Sequence, residues 1–279
     1  MTVNLGRIGI FRQFRRLDAE LAAAVERLGY GAIWVGSSPP GDLRIVEELL
    51  DATSTIAIAT GIVNIWSDAA ATVAASYHRI AAKHPGRFLL GLGIGHPEVT
   101  QAYERPYDKM VRYLDQLDEA GVPVRERALA ALGPKLLKLS AERSAGAHPY
   151  LTSPEHTKQA RKVLGERPLL APEQKVVLET DSSVARSIGR AAVQYPYLGL
   201  RNYLNNLRRL GYTDADFAAG GSDRLIDELA LHGDAETVAR GITAHLDAGA
   251  DHVAIQALTA ADADPLPSYQ ALAHALRLG

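Results

Sequence analysis

Ala23-Ala24-Val25-Glu26-Arg27-Leu28-Gly29-Tyr30-Gly31-Ala32-Ile33-Trp34-Val35 moves from helically spaced apolar residues, through two glycines, into an unbroken apolar run. Gly29 can take the left-handed conformation that ends a helix, and the apolar run after it reads as a short strand. The same order recurs at Leu139–Leu151 around Gly146 and at Ile242–Ile255 around Gly249. No strict sequence period accompanies it, so it is a recurrent βα unit and not a solenoid repeat.

Working outward, strand-like runs stand at Val3–Ile10, Ala32–Val35, Ile56–Val63, Phe88–Gly93, Arg127–Leu132, Pro149–Thr152, Lys175–Glu179 and His252–Ala257. Helical patterns separate them, which indicates a parallel sheet with crossover helices. Helix starts are also legible. Asp18 precedes the amphipathic run Leu21–Leu28, Ser153-Pro154-Glu155 sets a capping serine before a first-turn proline and acid, and Gly233-Asp234-Ala235-Glu236 opens the last crossover helix. Eight strands favour an α/β fold closed as a (β/α)8 TIM barrel over a doubly wound sheet. The 279 residues suit such a barrel as a single domain spanning 1–279. Pro196 to Gly221, rich in tyrosine and arginine, reads as an extra helical excursion, and Leu266–Leu278 as a helix packed outside the barrel.

Composition narrows the function. The hydrophobic share of 47% supports a large core, and a net charge of −2 gives no electrostatic support to nucleic-acid or membrane-surface binding. With no cysteine there is no disulfide, thiolate catalysis or cysteine-bound metal. Neither a signal-peptide core nor a membrane-length apolar run is evident, so the expectation is a soluble, cytoplasmic protein.

In a barrel of this kind chemistry gathers at the C-terminal strand ends. Strand two ends in Ser37-Ser38, small residues that leave room for a substrate or simply make a turn. Strand three ends in Thr60-Gly61-Ile62-Val63-Asn64-Ile65-Trp66. Asn64 can bond a heterocycle edge and Trp66 can line a substrate pocket, or both can serve packing and turn formation. Strand four ends in Gly91-Leu92-Gly93-Ile94-Gly95-His96, where alternate glycines let a flat ligand approach the backbone and His96 stands beside them. The third glycine comes too early for a dinucleotide fingerprint. Strands five and six end in Gly133-Pro134-Lys135 and Thr152-Ser153-Pro154, two helix starts able to hold an anion or merely capped in the ordinary way. There is no HExxH pair, P-loop, nucleophile elbow or metal-ligand cluster.

Taken together, the sequence resembles the luciferase-like monooxygenase superfamily, in particular its coenzyme F420-dependent oxidoreductases and an actinobacterial subgroup of these. The resemblance rests on Gly29-Tyr30-Gly31-Ala32-Ile33-Trp34, Ala59-Thr60-Gly61-Ile62, Pro85-Gly86-Arg87-Phe88 through His96, Ala130-Ala131-Leu132-Gly133-Pro134-Lys135, Gly146-Ala147-His148-Pro149-Tyr150 and Ala248-Gly249-Ala250-Asp251-His252-Val253. It implies a bacterial-luciferase-like barrel, a homodimer, a small-molecule substrate and F420 as cofactor, with FMN the alternative. It further implies a non-proline cis peptide at Gly61–Ile62 or its neighbour. The cofactor would lie against Thr60, Gly61, Ile62, Asn64, Gly93 and Gly95, with its phosphate at Gly133, Pro134, Thr152 and Ser153. His96 or Tyr150 would supply a proton during hydride transfer at the deazaflavin C5, with Ser37 and Trp66 facing substrate. Several members of the superfamily carry an acid or histidine where this chain has Ser37-Ser38. The competing expectations are an FMN-dependent monooxygenase and a cofactor-binding barrel without catalysis.

Overall fold

The computed structural model describes residues 3–95, 105–260 and 263–279. Its strands are β1 (Ile8–Gln13), β2 (Ala32–Gly36), β3 (Ala57–Gly61), β4 (Val63–Asn64), β5 (Phe88–Gly93), β6 (Arg127–Leu129), β7 (Gly146–Ala147), β8 (Leu169–Leu170), β9 (Glu173–Val177), β10 (Ala230–His232) and β11 (Val253–Ala257). Its α-helices are α1 (Ala19–Arg27), α2 (Arg44–Asp51), α3 (Ala70–Lys83), α4 (Pro106–Glu119), α5 (Pro134–Arg143), α6 (Pro154–Leu164), α7 (Ser182–Gln194), α8 (Arg201–Arg209), α9 (Asp214–Phe217), α10 (Asp223–Leu229), α11 (Ala235–Asp247) and α12 (Leu266–Ala275).

The strands are all parallel, in the order β10-β9-β11-β1-β2-β3-β5-β6-β7-β8, with β4 added beside β5. β8 and β9 are two pieces of one run, parted at Ala171-Pro172, where proline has no N–H to give a ladder. The Ala171 N–H donates to Ala147 O and the Glu173 N–H to Pro149 O, while the Ala254 N–H donates to Pro172 O. The run therefore joins β7 on one side to β11 on the other, which closes the parallel sheet into a TIM barrel.

The interior is packed. Phe11, Trp34, Ala57, Ala59, Leu89, Ala128, Ala171 and Ala254 fill it from successive strands. Small residues alternate with two large rings because a barrel of this girth holds few bulky side chains in each layer. A Cβ on Gly36 or Gly61 would stand 2.4 or 2.7 Å from the Phe11 ring, so these glycines make the space that Phe11 occupies. Below Phe11, Trp34 stacks on His148 with ring centres 3.9 Å apart, and its indole N–H donates to His252 Nε2 at 3.0 Å.

The expected caps are present: Asp18 accepts from the Leu21 N–H, Ser153 from His156 and Asp234 from Thr237. Gly29 and Gly249 have positive φ after their helices, as their role as helix stops requires. Gly146 does something else. Helix α5 ends earlier, at Arg143, and a Cβ on Gly146 would fall 1.9 Å from Leu169 O, so this glycine permits close strand approach.

Two strand expectations need correction. The first strand lies at Ile8–Gln13, because Val3 and Leu5 close the bottom of the barrel before the ladder begins. The sixth lies at Gly146–Ala147, not Pro149–Thr152, since the chain turns there with Leu151 at φ 56°. The excursion after Pro196 is helical, and its apolar residues form a second cluster with Leu151, Val193 and Leu229. α12 packs outside the barrel against α1 and α11.

Candidate active site

A cavity of about 1020 Å³ opens at the C-terminal ends of the strands. Phe11, at the end of the barrel's packed interior, is part of its wall, together with the turns after β3, β5 and β6, the stretch after β7, and α8. A recess of about 440 Å³ adjoins it and shares Gln13, Ser37, Ser38 and Ser67. Ser37 and Ser38 both sit in the left-handed region, at φ 63° and 51°, a conformation that non-glycine residues hold only where surroundings enforce it.

One wall is largely apolar. The Gly61–Ile62 peptide is cis, and Ile62 lines the cavity while its side chain covers Gly93, where a Cβ would lie 2.5 Å from Ile62 Cγ1. Asn64 Oδ1 accepts the Trp66 N–H at 3.0 Å, and its amide nitrogen lies 2.7 Å from the place a Cβ on Gly95 would take. Gly95, at φ 64°, thus leaves Asn64 room at the cavity edge. The Trp66 indole N–H is buried without a partner among the described residues.

The opposite end is cationic. Gly133 caps α5 with Pro134, which has no N–H, at its first position; the Leu136 and Leu137 N–H groups donate to Gly133 O, and the positive end of the helix dipole lies at the cavity. Arg209 reaches the same place: its guanidinium lies 3.6 Å from where a Gly133 Cβ would stand, and it donates to Asn206 Oδ1 at 3.2 Å. Lys135 is adjacent, with its ammonium 3.8 Å from the Tyr107 ring centre. Asn202, Asn205 and Arg209 follow helical spacing and bring one polar face of α8 to the cavity. Close by, His156 Nε2 lies 2.9 Å from Leu132 O, so it carries the proton and Nδ1 is left unpartnered. Burial, with the Arg209 charge adding to it, keeps this imidazole below its ordinary pKa.

A third group lies between β7 and β11. His148 donates through Nδ1 to Ala171 O at 2.7 Å, and burial holds its pKa down at about 3, so the ring is neutral. Its Nε2 is buried without a partner and faces Gly61. Lys175 and Glu173 form a fully buried ion pair at 3.0 Å, and Glu173 also accepts the Leu151 N–H at 3.0 Å. Burial lowers the Lys175 pKa and raises that of Glu173, each pull opposed by the partner's charge. The Lys175 ammonium lies 3.9 Å from the Tyr150 ring centre. Tyr150 donates to Gln256 Oε1 at 2.9 Å and accepts from the Tyr197 hydroxyl at 3.2 Å; burial pushes its phenol pKa well up, so it stays protonated.

Of the site residues read from the sequence, the cavity brings together Ser37, Gly61, Ile62, Asn64, Trp66, Gly95, Gly133, Pro134 and Tyr150. Thr60 is behind the wall, its hydroxyl donating to Gly91 O at 2.8 Å. Gly93 lies behind Ile62. Thr152 and Ser153 are buried at the α6 start, Ser153 spent on its cap and the Thr152 hydroxyl unpartnered. His96 lies outside the described residues. Sequence reading gave no site role to Gln256, His148, Arg209 or the Glu173–Lys175 pair. One signal was available: Glu173-Gln174-Lys175 places charges in the middle of a strand that should be buried on both faces. Among the described residues, no group of three His, Cys, Asp or Glu side chains could hold a metal, and no helix is long and apolar enough to cross a membrane.

Residues 14–120 match the family model described as luciferase-like monooxygenase. No curated protein matches the chain in sequence. Among solved structures the chain is similar to an F420-dependent secondary alcohol dehydrogenase in complex with an F420-acetone adduct, at TM-score 0.74 and 15% identity, covering 98% of both chains. It is similar to the coenzyme F420-dependent tetrahydromethanopterin reductase from Methanopyrus kandleri, at TM-score 0.69 and 14% identity, covering 99% of both. It is also similar to the FMN-bound oxygenating constituent of 3,6-diketocamphane monooxygenase from Pseudomonas putida, at TM-score 0.68 and 17% identity, covering 100% of this chain and 98% of that one. The sequence match to the luciferase-like monooxygenase model thus spans residues 14–120, and along the whole chain the fold is that of the luciferase-like barrels.

Proposed function

We propose that the protein is an F420-dependent oxidoreductase that moves a hydride between the deazaflavin C5 and a small organic substrate. The observation that carries this reading is the pairing, in one cavity, of a glycine-lined apolar wall at Gly61, Ile62 and Gly95 with a cationic end at Gly133, Lys135 and Arg209. A planar heterocycle bearing a phosphate needs both. The unpartnered amide N–H of Asn206, whose Oδ1 accepts from Arg209, is a spare donor near the cationic end, as expected beside an anion.

When bound, the deazaflavin supplies the carbon that gives or takes the hydride. The chain's own residues orient and enclose. Asn64, Gly61 and Ile62 would hold the ring, and the α5 start with Arg209 would hold the phosphate. Ser37 and Trp66 face the substrate side. Tyr150 holds a proton at its hydroxyl beside the cavity, and the Tyr197 hydroxyl, which donates to it, is a route for replacing that proton. The protein would work as a homodimer on a freely diffusing substrate.

The test is anaerobic titration with oxidised F420 and with FMN, followed by absorbance and fluorescence. F420 affinity exceeding FMN affinity is expected. Tight FMN binding without F420 affinity, together with substrate-dependent oxygen uptake, would overturn the proposal in favour of an FMN monooxygenase. Neither cofactor binding would point to a barrel without this chemistry.

A further inference from the structure

Gln256 stands on β11 at the cavity wall, and its carboxamide is held in one orientation. Two groups reach its Oε1: the Tyr150 hydroxyl at 2.9 Å and the Lys175 ammonium at 3.4 Å. An ammonium has no lone pair to offer, so the oxygen of the amide, not its NH2, must face Lys175. Lys175 is itself fixed. It is fully buried, pairs with Glu173 at 3.0 Å and lies over the Tyr150 ring at 3.9 Å. Glu173 is held in turn by the Leu151 N–H. The chain Leu151–Glu173–Lys175–Gln256 thus fixes the amide, and its NH2 is left without an acceptor among the described residues. Burying a charged pair is costly, and a pair that only stabilised the barrel could be replaced by apolar side chains.

We propose that Gln256 is the carbonyl-recognition residue of this cavity, donating its amide N–H to a carbonyl oxygen of the bound molecule. The inference rests on the reading of the cavity as a cofactor and substrate site. The shared chemistry is a carbonyl acceptor, carried either by the pyrimidine ring of a flavin-like cofactor or by a ketone substrate. Glu173 and Lys175 act as positioning residues, since they act through Gln256, and the Tyr150 hydroxyl helps to hold the amide from the cavity side.

The experiment compares wild-type protein with Gln256→Leu and Gln256→Glu. Each is titrated with F420 and FMN by absorbance and fluorescence, and with cyclohexanone by thermal shift. Circular dichroism and melting temperature confirm that each variant is folded. Loss of one neutral hydrogen bond is expected to weaken binding of the recognised molecule roughly threefold to tenfold in Gln256→Leu. Gln256→Glu is expected to be weaker still, because acceptor then faces acceptor. A weakened cofactor with an altered bound-state absorption band assigns the carbonyl to the cofactor ring, whereas unchanged cofactor binding with weakened cyclohexanone assigns it to substrate. If a folded Gln256→Leu binds all three probes as the wild type does, the proposal is overturned. Should wild-type protein bind neither cofactor, the proposed function fails, and cyclohexanone alone decides on Gln256: binding that Gln256→Leu weakens upholds the role, and absent or unchanged binding overturns it. A Tyr150→Phe variant provides a further check. It leaves Lys175 to orient the amide, so its effect should be smaller than that of Gln256→Leu, and an equal or larger loss contradicts the orienting chain.

Discussion

Replacing Lys175 with methionine keeps an unbranched chain of about the same reach to Cε, with sulfur in place of Cδ, and removes the ammonium. The structure sets the consequence. Glu173 and Lys175 are both fully buried and 3.0 Å apart, so the substitution strands a carboxylate inside the barrel. Breaking such a pair from one side costs about 3–5 kcal/mol. The ammonium's contact with the Tyr150 ring, 3.9 Å away, is lost too and contributes about 1 kcal/mol. The Leu151 N–H still serves the carboxylate, which places the expected loss near the lower end, at about 3–4 kcal/mol. Urea denaturation followed by circular dichroism measures it. The loss should also depend on pH. Burial already raises the Glu173 pKa, and without Lys175 it rises further. A carboxyl with a raised folded-state pKa contributes stability below its unfolded pKa and loses it as pH rises through the folded value. The deficit of Lys175→Met should therefore be smaller at about pH 5 than at about pH 8. Adding Glu173→Gln removes the stranded charge, and the double variant should recover at least about half of the loss. A loss under about 1 kcal/mol, a deficit independent of pH, or a double variant no better than the single one would refute the reasoning.

Arg209→Ala should weaken FMN binding roughly tenfold to a hundredfold while leaving riboflavin binding nearly unchanged, because a charge-assisted contact to phosphate is lost; equal losses for the two ligands would show that Arg209 does not meet the phosphate. Burial holds His148 and His245 down at about 3 and His252 at about 4. These depressed values mean that the unfolded chain takes up protons first, so stability is full above about pH 6.5 and falls toward about pH 4, by up to about 1.4 kcal/mol per pH unit for each histidine. Urea midpoints measured across that range test this, and a flat profile contradicts it. Gly61→Ala would set a methyl 2.7 Å from the Phe11 ring and 3.3 Å from His148 Nε2, and should cost about 1–3 kcal/mol by overpacking, read as a lowered melting temperature.

The sequence by itself determined the βα alternation, because apolar period, capping residues and helix-stop glycines act over a few residues and need no partner to be read. Asp18, Ser153 and Asp234 cap their helices, and Gly29 and Gly249 stop theirs, from local chemistry alone. The glycine-spaced end of β5 and the helix start at Gly133 pointed to the functional end of the barrel for the same reason. Position within the cavity was another matter. Thr60 and Gly93 stand beside lining residues in sequence yet face away from the cavity, since strand alternation and the Ile62 side chain decide which neighbour reaches it. Arg209 joins Gly133 from across 76 residues, and Gln256 meets Tyr150 from across 106. No local pattern encodes such meetings. They arise only when the run from Leu169 to Val177 closes the barrel and brings the ends of distant strands to one cavity, so the cationic end of the cavity and the oriented amide of Gln256 belong to the tertiary structure.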